Sequence, residues 1–210
     1  MNPKNQNNPY QNPWPIWVPL ILFIWKITWF NLCSWTPKFL NHWRLLILKI
    51  FGAKISGTPF VHSKAIIQIP WHLTMHHRAC LGEKANAYSL GNIEIMDGAT
   101  VAQEAYLCTG THNFRDPSFQ LITKKITIQA NAFIGVRAMI LPGITIGKNA
   151  VIGAQSVVTK NIKPNPQAQQ PGKQTKIETP IHVSNVAHYD KESSKRVKVA
   201  LRVVEDKKIW

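Results

Sequence analysis

The stretch from residue 128 to residue 158 reads IQANAFIGVRAMILPGITIGKNAVIGAQSVV, and an aliphatic residue recurs in it at every sixth position. From the second of these positions on, the residue two places earlier is small in four cases of five, and glycine follows three of them. A short fixed period of this kind is typical of a solenoid. The recurring positions are Ile128, Ile134, Ile140, Ile146, Ile152 and Val158.

Each six-residue unit can supply one short flat face and one corner, so three units make a triangular coil of about 18 residues. The aliphatic side chain points inward and stacks on its counterpart in the next coil, about 4.8 Å away. The small residue fits near the corner, and we expect the glycine to relieve the backbone where φ is positive. Each coil buries its faces only against its neighbours. The repeat therefore predicts an all-β fold, a parallel β-helix.

Upstream of residue 128 the same period is present in three shifted registers, which predicts extra residues at some corners. We expect the β-helix to span residues 51–163, between a hydrophobic, helical N-terminal segment (1–50) and a basic C-terminal extension (164–210). The three registers are Ile55, Val61, Ile67 and Leu73; Leu81, Ala87 and Ile93; and Ile95, Val101 and Leu107.

A loop is expected over residues 108–125. Leu107 and Ile128 are 21 positions apart, which does not fit a coil of 18, and the text between them contains the turn formers Gly110 and Pro117. His112 lies near the root of this loop. Histidine is the usual side chain for taking a proton from an alcohol near neutral pH, which makes it a candidate general base.

The chain carries a net charge of +15, and its first acidic residue is Glu83. This balance favours anionic partners such as a membrane surface or a phosphate-bearing small molecule. No arginine-rich helix or aromatic RNA-binding motif occurs, so we predict no nucleic-acid partner. Three cysteines without a CxxC pair indicate a reducing compartment, hence a cytoplasmic protein.

The N-terminal segment contains an apolar run from Ile16 to Trp25, interrupted by Pro19 and followed by Lys26. The run is shorter than the ~20 residues of a spanning helix. Three interpretations stay open: a helix that packs on the domain or between subunits, peripheral attachment to a membrane surface, and a true span.

The C-terminal extension is polar and basic. Four apolar residues recur in it at helical spacing, which predicts a short amphipathic helix. They are Val197, Ala200, Leu201 and Val204.

The run from Ile146 to Lys160, together with YLCTGTHNFRDPSF at 106–119, resembles the hexapeptide-repeat acyltransferases. With Phe51-Gly52-Ala53 and Pro70-Trp71, it is similar to their colanic-acid-type exopolysaccharide acetyltransferase branch, near the maltose and nodulation acetyltransferases. The resemblance covers roughly residues 40–163. It implies a left-handed β-helix, a homotrimer with the active site between subunits, and acetyl-CoA as co-substrate with no metal.

The resemblance also implies an O-acetyl transfer to a sugar hydroxyl in exopolysaccharide biosynthesis, with His112 as the catalytic base. It places coenzyme A against Thr159 and Lys160, with the pantetheine groove lined by Val136 and Ala154. Asn86 lies near the expected contacts of the sugar acceptor.

Two departures from the family pattern leave alternatives open. Asn113 stands where the branch usually has aspartate, so the group that orients the imidazole is left open, with Asp116 and Glu104 as candidates. The Gly-Asn-Pro-Ala segment that usually follows Thr159-Lys160 is missing. The alternatives are a non-catalytic trimeric scaffold and a membrane-associated module that acts on lipid-linked sugars at the inner face of the membrane.

Two other kinds of site deserve comparison. A Cys108–His112 acyl-enzyme pair is conceivable, but four extended residues span about 13 Å. His72, His76 and His77 form a cluster, yet Pro117 stands where a further zinc ligand would be needed beyond His112.

Overall fold

A computed structural model of the chain describes residues 13–166 and four short strands beyond them. The chain divides into two compact units, residues 1–170 and 171–210.

The first unit is built on fifteen short strands in three parallel sheets of five, and successive strands pass from sheet to sheet through five coils. The first sheet contains β1 (Lys54–Ile55), β4 (Leu73–Met75), β7 (Ile93–Ile95), β12 (Ile126–Ile128) and β15 (Thr145–Ile146). The second contains β2 (Phe60–Val61), β5 (Cys80–Leu81), β8 (Thr100–Val101), β13 (Phe133–Ile134) and β16 (Val151–Ile152). The third contains β3 (Ile66–Ile67), β6 (Asn86–Tyr88), β9 (Tyr106–Cys108), β14 (Met139–Ile140) and β17 (Val157–Val158).

The pairing register shows where extra residues enter the coils. Thr74 pairs with Glu94, 20 positions later, whereas Thr127 pairs with Thr145, 18 positions later. In the first coil the additional residues form a short 3₁₀ helix, Pro70–His72, at the corner between the third and first sheets. The predicted corner insertions are confirmed.

The core lies inside the prism. All six recurring aliphatic residues from Ile128 to Val158 are at most 6% exposed, and the small residues Ala132, Ala138 and Ala150 are at most 2% exposed. The predicted inward stacking is confirmed, because the buried residues pair with their counterparts in the next coil, as Ile128 does with Ile146 and Ile140 with Val158.

The expected role of the repeat glycines is wrong. Positive φ occurs two residues after the glycine, at Arg137, Asn149 and Gln155, all at 59°. Gly135 is required for another reason, since a Cβ there would lie 2.6 Å from the backbone N of Ala154 in the next coil. The glycine allows close approach of two backbones rather than a left-handed turn.

Two helices, α1 (Trp17–Leu32) and α2 (Asn41–Ile50), precede the β-helix, with a 3₁₀ turn at Lys38–Leu40 between them. Trp25 Nε1 in α1 donates to Ile67 O at 2.8 Å, and the buried Arg44 Nε in α2 donates to Val61 O at 2.8 Å. Both helices are thereby fixed to the first coil. Within the described residues, no helix is long and apolar enough to cross a membrane.

In the second unit, β18 (His188–Asp190) pairs antiparallel with β19 (Lys195–Val197), and β20 (Arg202–Val204) with β21 (Lys207–Ile209). The predicted amphipathic helix is wrong, because Val197 and Val204 lie in strands. Ala200 and Leu201 fall outside the described residues. Valine alternates with a basic residue around position 197, a period-two pattern that favours strand over the helical spacing.

Candidate active site

The loop interrupts the third coil as a β-hairpin. Its strands β10 (Gly110–His112) and β11 (Leu121–Thr123) leave the prism between β9 and β12. The buried Thr109 holds the root, because its Oγ1 donates to Tyr88 O at 2.6 Å and accepts from Gly91 N at 2.8 Å. The predicted extruded loop is confirmed, and its root is fixed to the coil below.

His112 ends the outgoing strand of the hairpin and is half-buried. Its Nδ1 lies 2.8 Å from Phe119 O. A carbonyl oxygen only accepts hydrogen bonds, so Nδ1 carries the proton and the neutral ring keeps its lone pair on Nε2. The imidazole also stacks on the Phe119 ring, with centroids 4.4 Å apart and planes 10° from parallel. The ring is therefore held in one tautomer with Nε2 as its basic atom.

Neither residue expected to orient this imidazole does so. Asp116 Oδ1 accepts from Ser118 N at 2.9 Å, a hydrogen bond that lowers the pKa of the Asp116 carboxyl. Glu104 Oε2 accepts from Arg137 Nε at 2.6 Å. Phe119 takes over this role with a φ of 49°, in the left-handed region that bulky residues rarely adopt.

A polar and aromatic patch lies on the outer face of the third sheet, below the hairpin root. Asn86 pairs with Tyr106 in the next coil, and the rings of Tyr88 and Tyr106 stack with centroids 5.8 Å apart. Among the described residues, Asn86 Oδ1 is a buried oxygen without a hydrogen-bond partner. Burial raises the pKa of Tyr106 to about 12, so its hydroxyl remains protonated at neutral pH. The patch offers one unsatisfied acceptor beside two stacked rings.

Val136 and Ala154 occupy equivalent corners of the fourth and fifth coils. Gln155 N donates to Val136 O at 2.8 Å, which locks the two corners together. Val136 is 39% exposed and Ala154 is also exposed. The two residues thus form an open ledge where the chain enters the third sheet.

Thr159 and Lys160 follow β17, where the chain leaves the third sheet, and both are exposed. They border a cavity of about 360 Å³ on the fifth coil. The cavity is also lined by Val151, Gly153, Ser156 and Val157.

The predicted site residues therefore fall on two edges of one face. His112, Thr159 and Lys160 lie at the edge where the chain leaves the third sheet, and Val136 and Ala154 at the edge where it enters. Five residues of extended chain between these edges span roughly 16 Å. Asn86 lies on the face between them. The outer face of the third sheet therefore lies between the edge of His112 and the ledge of Val136 and Ala154.

The competing sites find no support in the geometry. Cys108 Sγ donates to Gly110 O at 3.2 Å rather than pairing with His112. His72 is buried with its Nδ1 2.9 Å from Ser89 O, and His76 Nε2 lies 3.2 Å from Glu94 Oε1. In residues that the structure describes, no three His, Cys, Asp or Glu side chains group as metal ligands.

The sequence-based reasoning missed Phe119, Tyr88 and Tyr106. The tyrosines do carry a signal, since each flanks an inward residue, Ala87 or Leu107, and must point outward. If a coil of 20 residues had been assumed in this region, residues 86–88 would have been aligned correctly with residues 106–108 in the next coil. No residue-type signal identifies the Phe119 carbonyl, because any residue has one.

Residues 125–160 match the family described as bacterial transferase hexapeptide (six repeats). The Escherichia coli K12 protein WcaF, which carries the name colanic acid biosynthesis acetyltransferase, is 33% identical over 142 residues, 68% of this chain and 78% of WcaF. The chain belongs to the hexapeptide-repeat acetyltransferases. The predicted resemblance to this family is confirmed.

Solved structures of hexapeptide-repeat acetyltransferases share the fold. A maltose O-acetyltransferase from Clostridium difficile 630 superposes with a TM-score of 0.61 at 26% identity, covering 72% of this chain and 82% of that one. The acetyltransferase from Vibrio cholerae O1 in complex with acetyl coenzyme A gives 0.64 at 16% identity, covering 71% and 81%. The left-handed parallel β-helix with an N-terminal helical segment is thereby confirmed.

The C-terminal segment has a different relationship. Residues 156–209 match the family described as large ribosomal subunit protein uL24, C-terminal domain. The uL24 protein of Pseudomonas aeruginosa PAO1 is 41% identical over 54 residues, 26% of this chain and 52% of that protein. Reasoning from residue spacing did not reveal this second similarity.

Proposed function

We propose that this acetyltransferase transfers an acetyl group from acetyl-CoA to a sugar hydroxyl in exopolysaccharide biosynthesis. The name of the WcaF relative and the acetyl coenzyme A bound in the Vibrio cholerae structure support this reaction. The observation that carries the proposal is the hydrogen bond from His112 Nδ1 to Phe119 O, because it leaves Nε2 as the basic atom of a half-buried imidazole.

His112 Nε2 takes the proton of the acceptor hydroxyl as that oxygen attacks the thioester carbonyl carbon. The new C–O bond forms, the C–S bond breaks, and the proton leaves with the thiol. The imidazolium that exists in between is stabilised by the Phe119 carbonyl, which still accepts the Nδ1 proton. The charge is thus held without movement of the ring.

The ledge of Val136 and Ala154 supports placement of the pantetheine arm, since both residues are exposed and neither has a polar side chain. The exposed Lys160, beside Thr159, would contact the phosphates of coenzyme A through its ammonium group. Arg137 is held by Glu104 and is less suited to that role.

Asn86 and the stacked Tyr88 and Tyr106 support placement of the acceptor. The unsatisfied Asn86 Oδ1 is buried, so it would accept a hydrogen bond from a sugar hydroxyl once the amide rotates outward. The tyrosine rings offer an apolar surface to the C–H face of a sugar. The hairpin root lies directly above this patch, so the acceptor would lie within reach of His112.

The enzyme is further proposed to act as a homotrimer in the cytoplasm, on a free or a lipid-linked sugar at the inner face of the membrane. The separation of His112 from the ledge of Val136 and Ala154 supports the oligomer, because a second copy can bring its ledge to the first copy's histidine. The active site would then be completed between two subunits, with His112 from one copy and the ledge of Val136 and Ala154 from the other.

Replacing His112 by Ala tests the reaction. We expect acetyl-CoA-dependent thiol release, measured with a thiol reagent and a panel of sugar acceptors, to fall by at least about 10²-fold, while binding of coenzyme A is retained. His42→Ala, an exposed histidine of α2, is the matched control and should keep full activity. Retained turnover in the His112 variant would contradict the mechanism, and failure of the parent chain to bind coenzyme A would favour a non-catalytic scaffold.

The similarity of residues 156–209 to a ribosomal protein supports a second function for the C-terminal unit, namely binding of RNA. Residues 172–210 carry nine Lys or Arg and five Asp or Glu, a basic balance that suits a phosphate backbone. RNA binding by the C-terminal unit is therefore an alternative to the prediction that the chain has no nucleic-acid partner.

Fluorescence anisotropy with a labelled fragment of large-subunit ribosomal RNA tests this second function. The full chain should bind with strong salt dependence, and a chain ending at residue 170 should bind at least about ten-fold more weakly while keeping its transferase activity. Equal RNA binding by the two chains would refute it.

A further inference from the structure

The N-terminal helix α1 leaves one of its sides uncovered. Its residues Val18 and Trp25 are 0% and 1% exposed, and Trp25 packs in the same core cluster as the first coil. A helix that is apolar on nearly all sides is normally covered on all of them. Five apolar residues at helical spacing nevertheless remain 48–72% exposed: Leu20, Phe23, Ile24, Ile27 and Phe30.

The helix α2 extends this uncovered surface. Trp43 Nε1 at its beginning donates to Leu32 O at the end of α1, at 2.9 Å. At the opposite end, Ile50 and Trp17 line one apolar cavity of about 550 Å³. The two helices therefore approach each other at both ends, and Trp43, Leu46 and Ile50 of α2 add further exposed apolar side chains, each at least 40% exposed. We name the two helices the helical layer.

Positive charge accompanies these exposed residues. Lys26 follows Phe23 by three positions and Lys49 follows Leu46 by three, so each lysine lies beside an exposed apolar residue, and both are exposed. Residues 1–54 carry six Lys or Arg and no Asp or Glu. The exposed side of the helical layer thus combines apolar side chains with positive charges and has no negative charge.

We propose that the helical layer docks onto a lipid bilayer that contains anionic lipids. The exposed aliphatic and phenylalanine side chains would enter the acyl boundary, with Trp17 and Trp43 in the interfacial region where tryptophan is enriched. Lys26 and Lys49 have aliphatic stems long enough to lie along apolar surface while their ammonium groups reach lipid phosphates. Docking is independent of acetyl transfer, and it supplies the residues and the lipid class for the proposed location.

A second copy of the chain fits this surface less well. Self-contact would bring together two surfaces that carry only positive charge, a like-charge arrangement that destabilises an interface. The β-helix also has a separate set of exposed apolar residues, including Phe133 and Val151 on its fourth and fifth coils. Four coil steps, about 19 Å, separate the first coil from the fifth. Subunit contact through those coils would leave the helical layer free.

Vesicle flotation of the full chain tests the docking. We expect the chain to float with phosphatidylcholine vesicles containing about 30% phosphatidylglycerol and to bind vesicles of pure phosphatidylcholine several-fold less. The double variant Phe23→Asp/Phe30→Asp should lose about ten-fold or more of the bound fraction. Phe114→Asp makes the same chemical change at a phenylalanine of the hairpin that is 80% exposed, outside the helical layer, and should float like the parent chain.

A second variant, Lys26→Glu/Lys49→Glu, leaves the exposed apolar residues intact. It tests the docking even if Phe23→Asp/Phe30→Asp does not fold. Its binding to the anionic vesicles should fall by several-fold, with an unchanged far-UV circular dichroism spectrum. Unchanged flotation of either variant would overturn the proposal. The proposal would also be overturned if the parent chain did not bind the vesicles and the Phe23→Asp/Phe30→Asp variant had a lower oligomeric mass than the parent. A second copy of the chain would then cover the helical layer.

Discussion

Asn86 is a residue whose contributions to stability and to activity should have opposite signs. Its buried Oδ1 finds no partner in the described part of the chain, and an unsatisfied buried oxygen lowers stability. Leucine has the same branching without polar atoms, so this replacement should raise the free energy of unfolding by about 1 kcal/mol. The same change should raise KM for the sugar acceptor while leaving KM for acetyl-CoA unchanged.

Urea unfolding and steady-state kinetics measure the two effects of Asn86→Leu on the same protein. Thr74→Val, on the outer face of the first sheet, serves as a control that should alter neither KM. An acceptor KM equal to that of the parent would remove Asn86 from the acceptor site.

His72 links stability to pH. Burial lowers the pKa of its imidazole, partly offset by the hydrogen bond to Ser89 O. In the unfolded chain the group titrates near its ordinary value of about 6.5. Below that pH the unfolded state binds a proton that the native state resists, so stability is full above about pH 6.5 and falls as the pH is lowered.

The measurement for His72 is the free energy of unfolding by urea between about pH 5 and pH 7.5. His72→Gln should flatten this dependence, although His62, whose pKa is also lowered by burial, will keep part of it. The exposed His42→Gln should show the parent slope. A slope unaffected by His72→Gln would rule out this source of acid sensitivity.

Among the elements, the corners carry the sharpest steric requirement. A Cβ at Gly135 would lie 2.6 Å from Ala154 N and 2.7 Å from Ile152 O, both backbone atoms, whereas a Cβ at Gly153 meets only Ser156 Oγ at 3.4 Å. Gly135→Ala should therefore cost about 2 kcal/mol of stability and weaken coenzyme A binding at the ledge of Val136 and Ala154. Gly153→Ala, the same change one coil later, should cost little.

Thermal unfolding and equilibrium binding of coenzyme A compare these two glycine variants directly. Equal destabilisation by both would mean that the corners relax freely and that backbone approach does not explain the glycine.

The elements also show what the sequence could reveal. The coils and the hairpin were predictable because inward aliphatic residues repeat at a local period, and a break in that period at Leu107 exposes the excursion. The two antiparallel hairpins of the C-terminal unit were not, since four apolar residues such as Val197 and Val204 fit a helix as readily as strands. The orientation of His112 was hidden as well, because it depends on the backbone conformation of Phe119, which no residue type specifies.

In the whole molecule, two apolar surfaces lie at opposite ends of the prism, and we assign them different partners. Phe133 is 43% exposed on the second sheet, within the proposed subunit contact, and its replacement by aspartate would place an unpaired charge there. We expect Phe133→Asp to convert a trimer to monomers in light scattering and to abolish transfer to a soluble sugar, although His112 is untouched. Transfer should fail because His112 and the ledge of Val136 and Ala154 lie at opposite edges of the third sheet in one chain.

Phe23→Asp/Phe30→Asp is the counterpart in the helical layer, and it should keep both the trimer mass and the activity toward the soluble acceptor while losing vesicle binding. The two variants thus separate assembly of the site from attachment to lipid. A monomeric Phe133→Asp protein with full activity would show that one chain completes its own site, and the physical reason for the trimer would then be lost.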